Sequence, residues 1–394
     1  MNLFRLPRLH LSSTSALGED SRHSILISLL RGLAALQVAA AHLRAEFYPS
    51  LRTLENPTLW YQALAFFTGF AHQAVLVFFL ISGWLVGGSF LNKMGQPGAV
   101  RLYAIDRLTR LWTVLIPTFA LILAFGIVTG TLDAGSVDFD AGNGYSVTAL
   151  AGNLAGVQTI LVPVFGGNYP LWSLANETWY YIMFPLLLMS FGGGRRVLPP
   201  LLLAMSAILL PAALVLYFSI WLLGAACSRI RIECGALTRA GLLAVLFGVC
   251  VYFRLYGSND EMVFASFPQD LLISVLFMAF LCTTVEKPAA SSASAPRLKH
   301  GGAFLSNFSF TLYVVHIPVL WMLHWLGRHL FGATTFGTQS LADLGIYMAL
   351  LALVTLFAYG FYLLFEARTY RIRKWAKARL APRPDRAVSA AASK

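Results

Sequence analysis

The stretch "ILISLLRGLAALQVAAAHLR", residues 25–44, reads as a membrane span. A transmembrane helix needs about 20 mostly apolar residues, and this run supplies them. It nevertheless carries Arg31 and His42 inside its body, where ionisable groups are costly. The two positions are eleven residues apart. At about 100° per residue, eleven steps end roughly 20° past three full turns, so both side chains leave one face, about 16 Å apart along the axis. Ionisable groups inside a span face a bundle interior or a wet cavity, and they mark candidate working sites. The bland alternative has Arg31 snorkelling to the headgroups and His42 resting near the opposite interface. Their shared face counts against it.

The rest of the chain agrees with a membrane reading. Of its 394 residues 58% are hydrophobic and 12% charged, with mean hydropathy +0.69, against about 25% charged in soluble domains. Ten segments qualify as spans: 24–46, 62–90, 108–130, 171–191, 197–215, 217–230, 238–256, 268–286, 303–326 and 341–366. The expected fold class is therefore all-α, a polytopic membrane helix bundle of about 10 transmembrane helices. Segment 147–164 is apolar but broken by Gly and Pro, and reads as a re-entrant or interfacial piece or as an eleventh span. The four cysteines, Cys227, Cys234, Cys250 and Cys282, form no CxxC pair and no metal-site spacing, so free thiols and no metal are expected. No cleavable signal is expected, because the first 22 residues are polar and basic and the first apolar run extends to a full span.

Charge sets the orientation. With the N-terminus in the cytoplasm, 24 of the 29 Lys and Arg fall on the cytoplasmic side. Four, Arg44, Arg52, Arg254 and Arg328, fall outside, and Arg31 lies within a span. The loop 131–170 has no Lys or Arg but holds Asp133, Asp138 and Asp140. Cytoplasmic loops carry such an excess. Both termini are thus expected in the cytoplasm, and the formal net charge of +12 is a topology signal that needs no nucleic acid. Residues 286–302 form a Pro/Ala/Ser-rich linker, and the tail from Ala381 reads as disordered.

Four further stretches carry candidate chemistry. "VFFLISGWLVGG" places Ser82 and Gly83 in a strongly apolar run, where small residues serve packing or a site. "RLYAIDRLTRLW" places Arg101, Arg107 and Arg110 before and within the start of the third span. These anchor the helix at the cytoplasmic face or form a guanidinium cluster for phosphates. "LWSLANETWYYIMF" puts Ser173, Glu177, Tyr180 and Tyr181 on one face, with Glu177 at a depth similar to His42. It is the only acidic residue read as lying firmly within a span. "SFTLYVVHIPVL" gives a stripe of Ser309, Tyr313 and His316 before Pro318. A histidine with a carboxylate suits proton abstraction from a hydroxyl. A cationic patch at the other membrane face suits an anionic cofactor, and the pairing points to group transfer across a membrane.

These motifs, in order, resemble the transmembrane acyltransferase 3 family: "RGLAALQVAAAHL" (31–43), "FFLISGWLV" (78–86), the arginines of "RLTRLW", "LWSLANETWYYIMFPLL" (171–187) and "SFTLYVVHIPVL" (309–320). The resemblance covers nearly the whole chain. It implies an O-acyltransferase that moves an acyl group, acetyl or succinyl, from cytoplasmic acyl-CoA to a hydroxyl of an extracytoplasmic glycan, lipid-linked glycan or related acceptor. It implies polysaccharide modification at the inner (cytoplasmic) membrane of a bacterium. The family's first-span histidine falls on His42, the base or transient acyl carrier, and its arginine on Arg31. Its Ser-Gly motif falls on Ser82 and Gly83. Its fourth-span motif falls on Trp172, Ser173 and Glu177, but a second glutamate is replaced by Thr178, which puts a two-carboxylate role in doubt. Asp106 interrupts the arginine run.

The expected domains are an N-terminal tail 1–23, an acyltransferase 3-like transmembrane domain 24–366 and a basic cytoplasmic tail 367–394, partly disordered. The expected catalytic residues are His42 and Glu177. Arg31, Ser82, Gly83, Arg101, Arg107, Arg110, Trp172, Ser173, Tyr181, Tyr313 and His316 would bind substrate or acyl-CoA. The expected partners are the lipid bilayer, acyl-CoA as co-substrate and a carbohydrate acceptor, with no tightly bound cofactor. The alternative is a proton-coupled transporter or flippase that uses the same buried ionisable residues. A purely structural membrane partner is a third reading.

Overall fold

The computed structural model describes residues 7–15, 21–132, 138–192, 197–258, 262–285, 304–332 and 335–380. The linker 286–302, Asp133 and the tail from Ala381 lie outside the described residues.

The chain is a helix bundle whose spans follow the apolar segments. Among the described residues, six helical stretches are long and apolar enough to cross a membrane: Arg22–Thr53, Leu59–Lys93, Ala99–Thr129, Ala236–Tyr256, Ser309–Phe331 and Leu341–Leu380. The other four expected spans are also helical. Leu171–Phe191 has 21 residues, while Leu198–Leu209, Ala212–Cys227 and Phe267–Thr283 have 12, 16 and 17. The last three fall short because helix breakers and turns end them early; Pro211, for example, divides Leu198–Leu209 from Ala212–Cys227. Segment 147–164 is a short helix, Val147–Ala155, followed by irregular chain.

The surface identifies the solvent. In Ala236–Tyr256 only 6% of the most apolar window is buried, and Leu243, Phe247 and Leu255 face outward. Such a helix would be a liability in water and is at home in lipid. Hydroxyls within the helices bond to their own backbone, as Thr118 does to the Val114 carbonyl (2.8 Å) and Thr355 to Leu351 (2.7 Å). A bilayer offers their polar atoms no water.

Two buried clusters flank the first helix, Arg22–Phe47. One joins it to Ala71–Ser82, Ala212–Cys227 and Leu171–Phe191 through Val38, Leu76, Tyr180 and Trp221. The other joins it to Ser309–Phe331 and Leu341–Leu364 through Ala35, Leu43, Leu312 and Tyr347. Close approach is set by small residues. A Cβ on Gly83 would stand 2.0 Å from the Trp221 carbonyl, and one on Gly224 would stand 2.2 Å from that of Leu80. At this crossing Ala71–Ser82 widens into a π-helical turn, Gly83–Gly87. Such turns are rare and frequent at functional sites.

Loops and ends pair in keeping with two opposite faces. Strand β1, Arg8–Leu11, pairs antiparallel with strand β2, Ile230–Glu233, and Asp106 meets Arg373 and Lys377. At the other end the Phe336 N–H donates to the Phe47 carbonyl (2.8 Å), and the Tyr48 hydroxyl to that of Asp343 (2.8 Å). Within the segment expected to be a basic tail, Thr369–Leu380 is a helix packed along Ala99–Thr129.

Candidate functional site

The first helix and Ser309–Phe331 run side by side and share three polar contacts. Arg31 Nη2 lies 3.5 Å from Ser309 Oγ, His42 Nδ1 lies 2.8 Å from His316 Nε2, and Glu46 Oε1 lies 3.1 Å from His324 Nδ1. The shared face of Arg31 and His42 and the stripe Ser309, Tyr313, His316 are thus the two sides of one seam.

The seam opens into a cavity of about 300 Å³. Eight of the expected site residues line it: Arg31, Ser82, Arg107, Arg110, Ser173, Glu177, Tyr181 and Tyr313. The π-helical turn begins directly after Ser82, whose hydroxyl donates to Glu177 Oε1 at 2.5 Å. Tyr181, one turn beyond Glu177, donates to the same oxygen at 2.6 Å, and Trp221 Nε1 donates to Ser82 Oγ at 3.2 Å. Two hydroxyls that donate to one oxygen fix the orientation of the Glu177 side chain in the cavity wall.

Arginines dominate the remaining wall. The Arg107 guanidinium lies over the Tyr103 and Tyr181 rings (5.9 and 5.6 Å), and its buried Nε has no hydrogen-bond partner. Arg110 Nη2 lies 3.7 Å from Glu366 Oε1, while Glu366 Oε2 accepts from Thr311. Arg31 has five donors and one long contact. With Arg373, four guanidiniums and Glu177 line the cavity. Such a wall attracts a phosphorylated ligand.

The His42–His316 pair lies beyond one end of this cavity. Tyr313 separates them: it lines the cavity, meets Ser173 Oγ at 2.6 Å and sits one turn before His316 on the same helix. His316 is fully buried, and its Nδ1 lies 3.0 Å from the Leu312 carbonyl, which can only accept. Nδ1 therefore carries the proton. In the neutral ring Nε2 is an acceptor, so His42 Nδ1 donates to it and His42 Nε2 holds a free lone pair. Tyr169 meets the His42 ring edge-on at 5.0 Å. Burial, with the Glu46 carboxylate nearby, pushes the Tyr169 phenol up, so it stays a neutral donor.

Several expectations change in detail. Glu177 and His42 share no hydrogen bond among the described residues; the partner of His42 is His316. Equal depth on two helices does not fix which faces meet, and Ser173 and Tyr313 intervene. Gly83 is a packing glycine against Trp221, and neither Arg101, which is exposed, nor Trp172, half-buried against the core, lines the cavity. Tyr180 turns away, its hydroxyl donating to the Leu214 carbonyl at 3.2 Å.

The family described as an acyltransferase domain, Acyl_transf_3, matches residues 25–365. The chain belongs to this acyltransferase family. It is a membrane-spanning acyltransferase. No curated protein and no solved structure gave a significant match.

Three features of this acyltransferase escaped sequence reasoning. Arg373 comes from a segment read as a tail. Glu46 and His324 join only through the seam, and no motif couples them. Asp270 stands at the very start of an apolar segment; it is fully buried, 2.8 Å from His72 Nε2 and 2.5 Å from the Tyr217 hydroxyl. A histidine and an aspartate near the same ends of two apolar segments are the signal the sequence offers, and the bonds to His72 and Tyr217 make Asp270 a tie between buried helices.

Proposed function

We propose that this acyltransferase transfers an acyl group, acetyl or succinyl, from cytoplasmic acyl-CoA to a hydroxyl of an extracytoplasmic glycan or related acceptor, in the inner membrane of a bacterium. The observation that carries this reading is the pair His42–His316, which holds His42 with a free Nε2 behind Tyr313, a residue that lines the arginine-rich cavity.

The donor's phosphates are drawn to Arg107 and Arg110, and its arm extends past Arg31 and Ser82 toward Ser173 and Tyr313. Glu177 faces that arm as an acceptor for amide N–H groups. The acceptor hydroxyl approaches His42 from the far side, where Tyr169 and the Glu46–His324 pair stand. His42 Nε2 takes the hydroxyl proton as the oxygen attacks the thioester carbonyl carbon. The C–S bond breaks, the His42 proton passes to the departing thiolate, and an ester and free coenzyme A result. A relay through an acylated His42 uses the same nitrogen. A transport role for these residues finds no support in the family.

The test is transfer of radiolabelled acyl groups from acyl-CoA by purified protein in proteoliposomes, wild type against His42→Ala. Loss of transfer in the variant is expected. Near wild-type transfer by it, or transport of an intact solute without acylation, overturns the reading. Mass spectrometry of envelope glycans from a deletion strain then names the acceptor, by a lost mass of one acyl group.

A further inference from the structure

We propose that the helix Thr369–Leu380 is part of the donor site: Arg373 binds the terminal phosphate of the nucleotide, and Asp106 is the positioning residue that holds it there. This rests on reading the cavity as a coenzyme A site.

Arg373 lines the cavity with Arg31, Arg107 and Arg110. Its Nε lies 3.3 Å from Asp106 Oδ1, and Lys377 Nζ, one turn on, lies 2.7 Å from the same oxygen. Asp106 thus spends its charge on the C-terminal helix. It forms no ion pair with its neighbour Arg107, whose Nε stays without a hydrogen-bond partner. That explains an acidic residue inside an arginine run: it recruits a cation from elsewhere. The opposite side of the helix exposes Ile372 and Trp375, fit for a membrane surface.

Position selects the phosphate. Arg373 and Arg110 side chains keep about 30% exposure (28% and 31%), so they sit at the open end, whereas Ser173 and Tyr313 are buried at the other. A thioester directed to the buried end leaves the far end of the nucleotide at Arg373. In coenzyme A that end bears a phosphate monoester, which a planar guanidinium grips with two bonds.

Coenzyme A and dephospho-coenzyme A are titrated calorimetrically into the full-length protein in neutral phosphatidylcholine nanodiscs. Wild type should prefer coenzyme A. Arg373→Gln should weaken coenzyme A about tenfold and erase that preference. Asp106→Asn should weaken it less and add little on top of Arg373→Gln, while Asp106→Glu restores it. Arg373→Lys, which keeps the charge and the packing stem, should fall between. The proposal is overturned if wild type binds coenzyme A but Arg373→Gln and Asp106→Asn bind it equally well, or if the preference survives. An effect confined to nanodiscs with phosphatidylglycerol also overturns it, since the guanidinium then serves a lipid phosphate. Wild type that binds no coenzyme A overturns the donor reading itself.

Discussion

His316 Nε2 accepts from His42 Nδ1 at 2.8 Å, and the Leu312 carbonyl fixes the proton on the other side of the His316 ring. One backbone carbonyl therefore sets two tautomers in series and leaves His42 Nε2 as the free base. An imidazole so fixed loses little entropy on taking a proton from a hydroxyl.

Removing His42 should cost the full contribution of a placed base, about 10²–10⁴-fold in turnover. His316→Ala should lose a smaller factor, about 10–10²-fold, since His42 remains but is unoriented. In His316→Gln the amide oxygen can accept from Nδ1, so more activity should survive. Coenzyme A binding should stay at wild type in all three, because neither histidine lines the donor cavity. Steady-state acyl transfer alongside binding measurements checks this, and loss of binding would refute it.

Glu177 works in a different network from His42. If it stabilised the His42 imidazolium, Glu177→Gln would lower the apparent pKa of the transfer rate, because a lost carboxylate disfavours the cation. The geometry predicts no such shift. It predicts instead that coenzyme A binds as well or more tightly, since one negative charge leaves a cavity walled by four arginines. A pH–rate profile displaced toward acid in Glu177→Gln would contradict this.

Gly83 and Gly224 let two helices meet backbone to backbone. A methyl group on Gly83 strikes the Trp221 carbonyl, not a movable side chain. The helices must part, at about 1–3 kcal/mol. The shift also strains the 3.2 Å bond from Trp221 Nε1 to Ser82 Oγ. Gly83→Ala should therefore lower the unfolding midpoint and reduce turnover together. Gly224→Ala, farther from Ser82, should lower the midpoint with a smaller effect on rate. Thermal melts in detergent with matched rate assays separate the two.

Much of this was legible in the chain. Helical spacing put Arg31 and His42 on one face and Ser309, Tyr313 and His316 on another, and the two faces meet. The apolar runs gave every main helix, because hydropathy reports burial in lipid directly. What stayed hidden depended on contacts between distant segments. Depth placed Glu177 beside His42, but depth leaves rotation about the helix axis free, and Ser82 and Tyr181 claim the carboxylate. Composition makes Thr369–Leu380 part of a basic tail, because the charge that holds it, Asp106, lies more than 260 residues earlier.

Asn168 repairs a defect that Pro318 creates. Proline has no N–H, so within Ser309–Phe331 the carbonyl of Val314, four residues back, lacks its helical donor. Asn168 Nδ2 donates to it at 2.9 Å, and the residue is fully buried. This bond ties the loop before Leu171–Phe191 to Ser309–Phe331 two residues before His316. Asn168→Ala should leave the carbonyl bare, a cost of about 1–3 kcal/mol. The low end is expected, since the substitution also removes the unpartnered Asn168 Oδ1. Pro318→Ala in that background returns an N–H to Val314 and should recover most of the stability. The recovered protein would have a straighter helix, so His316 would move relative to His42 and transfer should stay low. A double-mutant cycle reads the coupling. Stability effects that simply add would mean that Asn168 and Pro318 do not share the Val314 carbonyl.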